Sequence, residues 1–167
     1  NWYGPTEATI VCTRYVLPDH ELHTHLDLTP IGAPLPGMTC LVVDEENRPV
    51  GPGGMGELLV AGPQVAEGYL NDPEKTAKAF VQLPGRPEPS RRSCDLMRQA
   101  APEAIQFVDR MDNQIKIRGY RVEIGEIEAA IRKLTGGCNA IVAALPLKSA
   151  NPTALVAAVE GWDGDPA

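Results

Sequence analysis

Positive charge is in short supply: 15 Lys and Arg face 22 Asp and Glu across 167 residues, a formal charge of −7. That balance excludes a typical nucleic-acid module and a basic membrane-surface patch. Aromatic residues are also few, at 5%. No apolar run approaches the ~20 residues of a membrane-spanning helix. The four cysteines, Cys12, Cys40, Cys94 and Cys138, include no Cys-x-x-Cys pair, which argues against a zinc ribbon or a redox motif. Reduced thiols in a cytoplasmic protein are the expected state. Residues Asn1-Trp2-Tyr3-Gly4 carry neither an initiator Met nor a signal-peptide pattern, so the chain is expected to be part of something longer.

What is present is a globular balance of 43% apolar and 22% charged residues, with 16 Gly and 16 Pro. So many turn formers predict short strands more than long helices. The length suits one domain or two small ones. Residues 8–17 are rich in β-branched and aromatic side chains and predict a strand. Thr39–Val43 and Met55–Ala61 predict two more, with turns at 44–47 and 51–54. Residues 72–81 predict a short helix capped by Asn71 or Asp72, with Pro73 in its first turn. Residues 82–92, with three prolines and several arginines, predict a surface loop. Short strands follow at 105–108 and 113–118. Ile124, Ile127, Ile131 and Leu134 recur at helical spacing and predict the buried stripe of an amphipathic helix, with Glu128 and Arg132 paired on its wet side. Gly136-Gly137 ends that helix. Asn139–Leu145 and Thr153–Val159 predict two final strands. The fold class is α+β, with a second, smaller α+β unit beginning near residue 112.

Two runs suggest chemistry. In Asn1-Trp2-Tyr3-Gly4-Pro5-Thr6-Glu7, a tight Gly-Pro turn exposes backbone. The hydroxyl and carboxylate that follow could meet a phosphate and its Mg²⁺, and an ordinary turn before a strand is the alternative. In residues 109–128, Gln114, Lys116 and Arg118 alternate with Ile115 and Ile117. With Arg110 and Arg121 they form a local basic cluster that suits an anionic ligand or a charged edge strand. His20, His23 and His25, with Asp19 or Asp27, are a weaker candidate metal set, and a solvated loop is the alternative. Glu123, Glu126 and Glu128 lie at a helix start, where negative charge is favourable.

Taken together, these runs resemble the adenylation domain of nonribosomal peptide synthetases, within the adenylate-forming superfamily. The resemblance rests on Asn1–Glu7, on Gly56-Glu57-Leu58-Leu59-Val60-Ala61-Gly62 with Gly68-Tyr69-Leu70, and on residues 110–128, in order and spacing over nearly the whole chain. It implies a β-barrel-like tail of a large subdomain over 1–111 and a small α+β subdomain over 112–167. It implies nucleotide contacts from Asn1, Tyr3, Gly4, Thr6, Asp95, Phe107 and Arg110. Tyr3 would stack on adenine, Asp95 would accept the ribose hydroxyls, and Glu7 would hold Mg²⁺. Trp2, Ile10 and Val11 would line an amino-acid pocket. Asp112 would be the hinge of the small subdomain, and Gly119 would lie in the loop that reaches the site for thioester formation. ATP and Mg²⁺ are the implied cofactors. The implied partners are an amino acid and a carrier domain bearing phosphopantetheine, with no nucleic acid and no membrane.

The chain departs from the family's Tyr-Arg-Thr-Gly-Asp-Leu run, which reads Arg91-Arg92-Ser93-Cys94-Asp95-Leu96 here. Cys94 stands where the family has Gly, and Asp109 where Gly precedes Arg110. The resemblance also places a phosphate loop before residue 1 and a catalytic lysine, in an Asn-Gly-Lys segment, after residue 167. The chain contains no Asn-Gly-Lys and is expected to be inactive alone. An acyl-CoA or aryl-acid ligase, and a non-catalytic remnant serving as an interaction module, are the alternative readings.

Overall fold

The computed structural model describes residues 1–18, 29–101, 104–112, 114–118, 120–147 and 152–162. The chain divides into two compact units, Asn1–Met111 and Asp112–Ala167.

In the first unit, β1 (Trp2–Tyr3), β2 (Thr13–Arg14) and β3 (Ala33–Pro34) form a small antiparallel sheet, with a 3₁₀ turn at Thr6–Ala8. β4 (Thr39–Val43), β5 (Met55–Ala61), β6 (Phe80–Val81), β7 (Ser90–Ala101) and β8 (Ala104–Arg110) form a five-stranded antiparallel sheet. Its order is β4-β5-β7-β6, with β8 also paired to β7. Among the described residues the sheets are open, and none closes into a barrel. β4 and β5 have the predicted bounds. They are joined through a turn in which Asp44 Oδ1 accepts from the backbone N–H groups of Glu46 and Arg48. β5 is buried on both faces. Leu58 and Val60 enter a core with Ala8, Cys12, Ile31, Met38, Val42, Met97 and Ile105, while Leu59 joins Val43 and Leu83 on the other side. Truncating a side chain as enclosed as Leu58 costs about 2–5 kcal/mol.

The helix expected at 72–81 is α1 (Pro73–Ala79), shorter than its prediction because Phe80 and Val81 leave it to pair with β7. Asp72 caps it by accepting from Lys75 N–H at 2.9 Å, a contact worth about 1 kcal/mol. Two other expectations fail. Only Thr13–Arg14 of residues 8–17 is strand; Thr9 and Ile10 take φ of 56° and 74°, so the chain turns back instead of running extended. Gly4 makes room for that return: a Cβ there would stand 2.7 Å from the Ile10 carbonyl oxygen and 2.8 Å from Cys12 N. The loop expected at 82–92 ends early, since Ser90, Arg91 and Arg92 already belong to β7, and Ser90 and Arg91 are buried.

In the second unit, β9 (Gln114–Ile117) and β10 (Tyr120–Glu123) pair as a hairpin, then α2 (Ile124–Leu134) leads to the hairpin of β11 (Ala140–Leu145) and β12 (Ala154–Val159). α2 packs against β11, and Glu128, expected to pair with Arg132 on the wet side, accepts a hydrogen bond from Val142 N–H at 2.9 Å. The predicted stripe is only partly covered. Ile124, Ile127 and Ile131 are half-buried, and Leu134, in the last turn, is 85% exposed. Among the described residues no disulfide forms.

Candidate nucleotide site

β7 brings polar side chains inward. Along it Arg91, Ser93, Asp95 and Met97 are buried, one residue in two, as a pleated strand requires. Asp95 pairs across to Arg110 on β8, which sets the two side chains on neighbouring strands. Arg110 Nη1 donates to Asp95 Oδ1 at 2.6 Å and to the Ser93 carbonyl at 3.1 Å. The Tyr3 hydroxyl, 92 residues away in sequence, donates to Asp95 Oδ2. Burial, then the Asp95 charge and hydrogen bond, push the Tyr3 hydroxyl up, so it stays a donor at neutral pH. Asp95 N–H in turn donates to Ser93 Oγ at 3.0 Å. The Tyr3 and Arg110 bonds to the Asp95 carboxylate are charge-assisted, a class roughly twice as strong as neutral ones. Three predicted nucleotide residues, Tyr3, Asp95 and Arg110, therefore meet, with the carboxylate 5% exposed and both oxygens engaged.

A second cluster forms around Glu7, which the 3₁₀ turn directs inward to 9% exposure. Its Oε1 accepts from the Tyr69 hydroxyl at 2.5 Å and from Arg91 Nη2 at 3.0 Å. Arg91 Nη2 also lies 3.0 Å from the Tyr69 oxygen, and its guanidinium stands 5.7 Å over the Phe80 ring. Burial works to raise the Glu7 carboxyl, but the Tyr69 and Arg91 hydrogen bonds outweigh it and hold the group near a pKa of about 2. Arg91 Nε and Nη1 are buried with no hydrogen-bond partner among the described residues. One carboxylate already on a guanidinium, with two further N–H groups beside it, does not suit a divalent cation. Among the described residues no group of three or more His, Cys, Asp or Glu could hold a metal ion.

The other predicted residues are more scattered. Asn1 Nδ2 donates to the Pro30 carbonyl at 2.8 Å, and Thr6 is exposed. Phe107 packs against the core cluster that Tyr3 also touches. Of the pocket candidates, Trp2 and Ile10 are 64% and 74% exposed, and Val11 is half-buried. Asp112 is exposed, with Oδ1 accepting from Gln114 N–H at 3.1 Å. Gly119 and the His20, His23 and His25 set with Asp19 and Asp27 lie outside the described residues. Of the basic cluster, Arg110 is engaged by Asp95, and Arg121 Nε lies 3.8 Å from Glu123.

Sequence reasoning passed over Arg91 and Glu57. Glu57, 9% exposed, accepts from Arg92 Nη1 through Oε2 and from Cys94 N–H through Oε1 at 2.9 Å. The alternation of Arg91, Ser93, Asp95 and Met97 was the available signal, masked because its inward residues are polar.

Comparison with known proteins gives the family of the chain. Residues 1–70 match the family described as AMP-binding enzyme. Tyrocidine synthase 3 of Brevibacillus parabrevis is 42% identical over 146 residues, covering 87% of this chain and 2% of that protein. The Vibrio cholerae adenylation domain AlmE, solved with glycyl-adenosine-5'-phosphate, superposes with a TM-score of 0.80 at 34% identity, over 94% of this chain and 30% of its own. PA1221, a nonribosomal peptide synthetase protein containing adenylation and PCP domains, gives a TM-score of 0.79 at 31% identity, over 95% and 32%. The chain belongs to the AMP-binding, adenylate-forming enzymes. Within them its likeness is to nonribosomal peptide synthetase adenylation domains, of which it spans about a third of the solved structures and a few per cent of the whole synthetase.

Proposed function

We propose that this chain is part of an adenylation domain that joins an amino-acid carboxylate to the α-phosphate of ATP, releasing pyrophosphate. The aminoacyl group is then passed to the phosphopantetheine thiol of a carrier domain in a cytoplasmic synthetase. The observation that carries this reading is Asp95, a buried carboxylate to which Tyr3 and Arg110 are brought from opposite ends of the first unit. Each Asp95 oxygen accepts one bond here and keeps a further lone pair, and such a fixed carboxylate beside an aromatic ring suits a ribose and its base. Such chemistry depends on positioning and on stabilising charge as it develops, for which the preformed Tyr3–Asp95–Arg110 cluster is suited. Thr6, in the exposed turn, is assigned to the α-phosphate side, and ATP is taken to arrive with Mg²⁺ on its phosphates. Residues 1–111 correspond in this reading to the tail of the large subdomain and 112–167 to the small one, with Asp112 as hinge and Gly119 in the thioester-forming loop. With no Asn-Gly-Lys run among its 167 residues, the isolated chain is assigned no complete activity of its own.

The test is calorimetric titration of a non-hydrolysable ATP analogue into the full-length parent. Asp95→Ala is expected to weaken binding by about 1.5–3 kcal/mol, the scale of hydrogen bonds to a charged group. Unchanged affinity in a folded variant would remove Asp95 from the site. A second reading, a non-catalytic remnant acting as an interaction module, is favoured by two features: Arg91 on Glu7, and Cys94 in a left-handed conformation at φ 57°.

A further inference from the structure

The Glu7–Arg91 contact joins residues 84 apart, and both side chains are enclosed, at 9% and 5% exposure. Arg91 occupies the place of Tyr in the family's run, so the charge is a property of this chain. A guanidinium is permanently protonated, and here its surroundings are fixed on several sides. Nη2 bridges the Glu7 carboxylate and the Tyr69 hydroxyl, and the guanidinium carbon lies 5.7 Å from the centre of the Phe80 ring. Tyr69 is itself anchored, its N–H donating to Thr76 Oγ1 at 2.8 Å and its ring lying 4.9 Å from Lys75 Nζ. A divalent cation at Glu7 would either displace a donor from Oε1 or share the carboxylate with a second fixed positive charge already 3.0 Å from it. The buried, unpartnered Nε and Nη1 would then repel it further, since both are N–H groups with their positive ends outward.

We propose that Arg91 stands where a divalent cation would otherwise meet Glu7, making Glu7 a structural ion-pair partner and not a metal ligand. The proposal refines the nucleotide reading, and in that sense rests on it: any Mg²⁺ that accompanies ATP is carried by the phosphates and by groups other than Glu7. Arg91 therefore takes over the neutralisation of the carboxylate that a metal would provide.

The experiment follows the side-chain carboxyl carbon of Glu7 by ¹³C NMR in the 167-residue chain, its resonance assigned by its loss in Glu7→Gln. MgCl₂ is titrated alone, then with a non-hydrolysable ATP analogue. The wild-type resonance is expected to stay in place in both titrations, and in folded Arg91→Tyr it is expected to shift with Mg²⁺, with at least tenfold tighter apparent binding than in wild type. A saturable wild-type shift at millimolar Mg²⁺ overturns the proposal, and that measurement needs no variant to fold. A folded Arg91→Tyr whose Glu7 resonance ignores Mg²⁺ overturns it as well. Whether the analogue binds is read separately, from the Tyr3 ring resonances. Failure of the nucleotide reading is thus distinguished from failure of the Glu7 assignment.

Discussion

Cys94 has φ of 57°, in the left-handed region where a Cβ is crowded and glycine is not. The family run has Gly at this place, and the backbone here follows that conformation with the wrong residue for it. Its N–H is tied to Glu57 and its carbonyl accepts from Met111 N–H at 2.8 Å, so the surroundings hold the strained angle in place. Cys94→Gly is expected to stabilise the chain by about 1 kcal/mol, partly offset by the looser unfolded chain, and so to raise Tm by roughly 2–4 °C. Differential scanning calorimetry checks this; a lower Tm would mean the thiol makes contacts worth more than the strain. Glu7 gives a pH dependence at the same scale. Its folded pKa is lowered from 4.5 to about 2, so its ion pair adds stability above the unfolded value and loses it as pH falls through that window. The full contribution is on the order of 3 kcal/mol. The stability difference between wild type and Glu7→Gln should be largest near neutral pH and close between pH 4.5 and about 2. A difference that is constant with pH would contradict the pairing.

At the scale of elements, β7 organises the site, and Glu57 on β5 holds its irregular stretch. The β5–β7 register shifts between Glu57 and Leu59, where the Glu57 carboxylate supplies the acceptors that the ladder does not. Glu57→Ala removes both at once and should cost about 2–3 kcal/mol, the scale of lost bonds to a charged group. Urea denaturation gives the energy, and hydrogen exchange at the Cys94 amide gives the location; an unaltered exchange rate there would show that Glu57 does not hold the strand. The same strand explains where sequence reading stopped. β4, β5, α1, β9 and the last hairpin of the second unit were legible because their apolar or turn-forming residues follow the periods of strands, helices and turns, whereas β10 (Tyr120–Glu123) was not anticipated. β7 was not, since an arginine, a serine and an aspartate take its inward positions and look like a solvated loop. Residues 8–12 misled in the other direction: their β-branched composition suits a strand, but Thr9 and Ile10 turn left-handed against Gly4. Tyr3, Asp95 and Arg110 were reached through the resemblance, because their contacts span up to 92 residues and no local period encodes them.

At the scale of the whole molecule, the chain divides between Met111 and Asp112, and the proposed function makes Asp112 the residue on which a change in subdomain orientation would turn. It is exposed, and its side chain closes a local turn by accepting from Gln114 N–H at 3.1 Å. That bond stays within the second unit and would travel with it. A hinge needs a residue that takes up large φ/ψ changes outside either core, and Asp tolerates several backbone regions, including the left-handed one. Proline fixes φ near −65° and lacks the N–H, so it would hold one orientation. In the full-length parent, Asp112→Pro is expected to keep aminoacyl-AMP formation largely intact and to suppress thioester transfer to the carrier domain. Asp112→Asn, which keeps an acceptor oxygen for Gln114, should retain both. The two half-reactions are measured separately, by amino-acid-dependent ATP–pyrophosphate exchange and by loading of the carrier thiol, with Tm recorded alongside. If Asp112 only closes the turn, proline lowers both half-reactions together with Tm, because the damage is to folding and not to motion. A selective loss of transfer at unchanged Tm requires a chain that still folds and adenylates but cannot reorient, and equal losses would rule the hinge out.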